Sequence, residues 1–150
     1  MAMNFSILRR IRANLVRSAV LAALVVFGSL AAGHPARADG GEAAAAAAHG
    51  GLGACSSNAG KALYGCVADV LDKMSNQISG ATDTTRALAT AASRLRAAVN
   101  KAQALSAISQ CQAVVAGALR QALAAGQKGR GLSAVAGVLT RAAQLIQSKG

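Results

Sequence analysis

Cys55, Cys66 and Cys111 are the residues with the widest chemical reach in this chain. Leu52-Gly53-Ala54-Cys55 spells a lipobox, in which a bacterial cysteine is acylated and becomes the first residue. An acylated cysteine directly follows the apolar part of its leader, because processing happens at the membrane. Here 21 residues, His34 to Ala54, separate Gly33 from Cys55, so the lettering stands at the wrong distance. Disulfide formation is the stronger reading, since cysteines of small exported domains are usually bridged. Three is odd, which leaves one thiol over for a second chain, for modification, or for nothing.

The acid–base inventory is thin. Asp69 and Asp72 stand three apart, on one face of any helix that holds them. Paired carboxylates do general acid/base work when burial raises one pKa. Asp69 also has Lys73 four residues on, the spacing of an exposed helical ion pair, which favours a solvated face. Glu42 is the only glutamate, and His49 sits in an Ala/Gly stretch, so a Ser/His/Asp arrangement has no placed histidine. There is no Cys-x-x-Cys or Cys-x-x-Cys-His, so no metal, haem or other cofactor is expected. Gly126-Gln-Lys-Gly-Arg-Gly131 shares glycine and lysine with phosphate loops but lacks the Gly-Lys-Ser/Thr ending and a preceding strand, and reads as a helix–helix connection. An enzyme is therefore not expected.

The N-terminus points to export. Arg9, Arg10, Arg12 and Arg17 precede the uncharged apolar run Ser18–Gly33. His34-Pro35 ends the run, and Ala36-Arg37-Ala38 is an A-x-A site before Asp39. This order predicts a signal peptide over 1–38 cleaved after Ala38, the apolar run being about 15 residues against the ~20 of a bilayer span. Twin arginines occur at Arg9-Arg10, but Arg12 and Ala13 fill the positions where that export motif wants large apolar residues.

Cleavage changes the charge balance. Five of the 16 basic residues precede the cut and all five acidic ones follow it, so the formal charge falls from +11 to +6. Both phenylalanines leave as well, and Tyr64 becomes the sole aromatic residue. Single-stranded nucleic acid is held by aromatic stacking in a basic groove, so nucleic acid is excluded as a partner. The positive surface fits weak attraction to anionic membranes or polymers outside the cytoplasm.

Residues 39–57 are rich in Gly and Ala, with Leu52 the only large apolar side chain, and predict a flexible leader. The domain proper is 58–150. Ser56, Ser57 and Asn58 offer an N-cap. Leu63, Val67, Val70, Leu71, Met74 and Ile78 then recur at helical steps up to Ser79-Gly80. Thr82 or Asp83 can cap the next helix, with Leu88, Ala91, Leu95, Ala98, Ala102 and Leu105 on its seam. A last helix carries Leu132, Val135, Leu139, Ala142 and Ile146. Between them, Leu88, Leu95 and Val99 fall opposite Ile108, Val115 and Leu119 on a straight helix. A turn near Ser106 resolves that conflict, with one helix kinked there as the alternative. No segment alternates like a strand.

The expected fold is all-α: a small antiparallel bundle of three to four short Ala-rich helices. Its core is thin, and such a bundle needs a staple or a partner. In an up-down-up order Cys66 and Cys111 lie on core-facing positions of parallel helices at similar levels, and their bridge would close a 44-residue loop. Cys55–Cys111 competes with it, and Cys55–Cys66 needs the leader to fold back along more than two turns. The function expected is non-enzymatic binding of a protein or an envelope surface by a periplasmic or secreted bundle. A disulfide-linked homodimer through the odd cysteine is compatible with it. The alternative is a cationic membrane-active or toxin-like protein with Arg86, Arg94, Lys101, Arg120 and Arg141 on its polar faces.

Overall fold

The computed structural model describes residues 36–150. Five helices follow one another: α1 Ala36–Cys55, α2 Gly60–Gln77, α3 Thr82–Ala97, α4 Lys101–Ala124 and α5 Arg130–Lys149. Residues 1–35 of the expected signal peptide lie outside the described residues.

The helices form a ring. Each packs on its chain neighbours, α5 also packs on α1, and α2 reaches α5 across the middle. Short connections fold consecutive helices back on each other. Cys55 lies against Cys66 and Gly51 against Val70, so α1 and α2 run in opposite directions. Gly41 meets Gly131 at the start of α1 and α5, and the Lys149 Nζ donates to the Ser56 carbonyl at their ends, so these two run parallel. Five alternating helices can close a ring only with such a parallel pair.

The expectation of three to four helices is corrected to five, because the stretch 39–57 is not a loose leader. It forms most of α1, and Ala44, Ala45, Ala48, Leu52 and Cys55 are buried in the common core. These five recur at helical steps, as one stripe of small side chains. A stripe of that kind buries itself by close backbone approach. A Cβ on Gly41 would stand 2.9 Å from the Gly131 Cα, and one on Gly51 would stand 2.8 Å from a Val70 methyl. Five glycines between Ala36 and Cys55 weaken the isolated helix, at roughly 1 kcal/mol each, and packing against α2 and α5 outweighs that cost.

The remaining core follows the apolar seams. Leu63, Val67, Leu71 and Met74 of α2 meet Leu88 and Leu95 of α3, Ile108 and Val115 of α4, and Val135, Leu139 and Ile146 of α5, all fully buried. The capping positions differ from expectation. Ser56 and Ser57 donate to the Gly53 and Ala54 carbonyls at the end of α1, and Ala59 stands at the start of α2. Ala81 takes the capping position of α3, while Asp83 lies in its first turn and pairs with Arg86 at 3.7 Å.

Two helices do occupy the ambiguous middle, but the break lies at Ala98–Asn100 and not near Ser106. The Asn100 Oδ1 accepts from the Gln103 N–H at 2.9 Å, and the Gln103 Oε1 accepts from the Val99 N–H at 3.0 Å. This reciprocal pair satisfies two backbone donors at once, which the single hydroxyl of Ser106 cannot do. Val99 consequently leaves the seam and is 73% exposed. Asn100→Ala is expected to lower stability by about 1 kcal/mol, read from the urea midpoint, because only the cap is lost.

Candidate functional site

Cys55 ends α1 and Cys66 sits in the second turn of α2, bridged across a Cα separation of 5.7 Å. This corrects the expected Cys66–Cys111 pairing. Cys66 faces α1, while Cys111 lies on α4, which packs on α3 and α5. Once residues 39–55 are helical, the turn at 56–59 returns the chain antiparallel and sets Cys66 beside Cys55. The Cys55 sulfur is thereby occupied, which leaves the lipobox reading without a free acyl acceptor.

Cys111 is the odd thiol, and it is buried. Burial away from compensating charge pushes its pKa from 9.0 up to about 12. A disulfide-linked homodimer would require this residue, only 3% exposed, to reach another chain. The native thiol is expected to resist iodoacetamide from pH 7 to 9.5, with about 1,000-fold less thiolate at pH 8 than an unperturbed cysteine, and to react promptly in denaturant. Because the folded pKa is raised, the protonated thiol's contribution to stability is intact below pH 9 and is lost as pH climbs towards 12.

Asp69 and Asp72 do share a face of α2, but their partner is Arg96 of α3 and not Lys73. The Arg96 guanidinium donates to the Asp69 Oδ1 at 2.9 Å and to the Asp72 Oδ2. Its hydrogen bonds to Asp69 first, and to Asp72 second, raise the guanidinium pKa. The arrangement ties two helices together at the surface. Spacing within α2 could not show it, because the cation comes from another helix. Two further cations serve helix ends: the Lys101 Nζ donates to the Gln147 carbonyl at 3.0 Å near the end of α5, and Lys149 does the same for Ser56.

The expected cleavage residues Ala36, Ala38 and Asp39 fall in the first turn of α1. His49 is exposed on α1. Among the described residues no group of three His, Cys, Asp or Glu side chains could hold a metal ion, and no helix is long and apolar enough to cross a membrane. Residues 125–129 form the helix–helix connection, with Gly126 and Gly129 both at positive φ, while Arg130 and Gly131 already belong to α5. A Cβ on Gly129 would stand 2.6 Å from a Leu119 methyl, so this turn requires glycine for space as well as for conformation.

A groove of about 480 Å³ lies between α3 and α4. Ala87 and Ala91 line one wall, Val114 and Ala118 the other, and Cys111 also lines it. Arg86 and Arg94 stand along its rim. Val114 is 42% exposed there, one of few large apolar side chains left uncovered. Sequence reading missed this site. Its signal was the run of alanines and Gly117 on the two facing helices, where small side chains bring the walls together without filling the space between them.

The described residues define an all-helical, disulfide-bridged bundle of five helices with an apolar groove flanked by arginine. No protein-family model, no curated protein and no solved structure matches the chain.

Proposed function

We propose that this protein is exported, loses residues 1–38, and works outside the cytoplasm as a non-enzymatic binding bundle. The observation that carries the reading is the Cys55–Cys66 bridge. Disulfides of this kind persist in oxidising compartments and are rare where thiols are kept reduced. The N-terminal arginines, the apolar run and the A-x-A site supply the matching address. Cleavage before Asp39 would remove only the first three residues of α1. Asp39-Gly40-Gly41-Glu42 has an aspartate and a glutamate three apart, a start signal that places negative charge at the helix N-terminus.

Intact mass of the protein, taken from fractionated cells with and without reductant, tests this. A chain beginning at Asp39, two hydrogens lighter than its fully reduced form and found outside the cytoplasm, is expected. An unprocessed cytoplasmic chain with three alkylatable thiols would remove the reading.

A further inference from the structure

We propose that the α3–α4 groove binds a free single-chain fatty carboxylate, with its chain along Ala87, Ala91, Val114 and Ala118 and its headgroup at Arg94 and Gln110. The inference deepens the binding function proposed above and rests on it for the setting in which such a ligand is met.

Size selects a chain over a helix. The groove holds about 480 Å³, within the range of small-molecule sites. Its length from Asp83 to Arg94 is ~16 Å at 1.5 Å per residue, the reach of a medium-length alkyl chain. A docked helix of the same length and ~10 Å diameter would occupy well over 1,000 Å³. Between its charged ends the walls that a chain would meet are mostly alanine methyls and a valine, with Thr90 the one hydroxyl among them and no charge.

Charge selects the headgroup and its end. Asp83 pairs with Arg86 at one end and is the only carboxylate lining the groove, so that end disfavours an anion. Arg94 has no carboxylate within ion-pair distance among the described residues. Beside it lies a smaller recess of about 250 Å³ that shares Arg94, Ala107 and Gln110 with the groove and adds the polar side chains Gln103 and Ser106. One uncompensated guanidinium balances one negative charge, which fits a carboxylate better than a phosphate monoester carrying about −1.5 to −2.

Gly117 provides a clean test. It lines the groove, and a Cβ there would meet nothing within 4 Å, so a side chain can start at this position without a backbone clash, and Gly117→Leu is the variant chosen to obstruct the groove. The full chain is expressed, and the purified protein is titrated with laurate, dodecanol and dodecyltrimethylammonium, all below their self-assembly concentrations, and with anionic phospholipid vesicles. Saturable one-to-one laurate binding is expected, at least tenfold tighter than dodecanol or the cationic amphiphile. Each methylene removed should weaken it by up to ~4-fold. Gly117→Leu should weaken laurate at least tenfold with no loss of thermal stability. Arg94→Gln should bring laurate down to the dodecanol level while leaving dodecanol unchanged. Laurate binding indifferent to Gly117→Leu, equal affinity for the three amphiphiles, or binding to vesicles alone would each overturn the proposal. None of these outcomes alters the mass measurement, so the two readings fail independently.

Discussion

Leu52→Ala is expected to destabilise the bundle by about 2–5 kcal/mol, the cost of removing a fully buried leucine side chain and leaving a cavity. For a domain of this size the thermal midpoint should fall by at least ~10 °C. The residue lies in the stretch whose composition reads as a loose leader, and truncating a leucine there would cost nothing. In the structure Leu52 is the one large side chain with which α1 enters the core, just beyond the small-residue contacts at Gly41 and Gly51. Val99→Ala is the matched control. The apolar seam assigns Val99 to the core, yet it stands exposed in the α3–α4 connection, and its truncation should change stability by less than ~0.5 kcal/mol. Denaturant melts of the two variants check both. A Leu52→Ala protein as stable as its parent would mean that α1 does not pack.

Reducing the Cys55–Cys66 bridge is expected to cost ~3 kcal/mol, the chain-entropy value for a sequence separation of 11. The loss should appear as a lower urea midpoint after treatment with a phosphine reductant, and Cys55→Ser should reproduce it. Cys111→Ala separates this pairing from the one that spacing favoured. With Cys55 bonded to Cys66, the variant carries no free thiol when unfolded without reductant. Had Cys66 been bonded to Cys111, the same variant would expose two. Counting thiols in denaturant decides between them without any structural measurement.

Much of this fold was legible in its sequence, for a physical reason: helical periodicity is local. The spacing of Leu63, Val67, Leu71 and Met74, or of Val135, Leu139 and Ile146, announces a helix and its buried face whatever surrounds it, and these residues are buried. The two helices of the middle were legible as a change of face. Their break was misplaced because capping depends on which side chain reaches which backbone group, and Asn100 with Gln103 satisfies more donors than Ser106. What only the tertiary structure decided involves small residues and partners distant in sequence. Ala44, Ala45 and Ala48 are buried where α5 approaches α1 to backbone distance at Gly131 and α2 approaches it through Val70, and no count of large side chains foretells that. The disulfide followed from that same fifth helix, since placing Cys55 on a packed α1 determines which thiol it meets. Arg96, sequestered by two aspartates of another helix, and the groove between α3 and α4 belong to the same class. They are properties of faces brought together, and the alanines that make them possible look identical in sequence to alanines that do nothing.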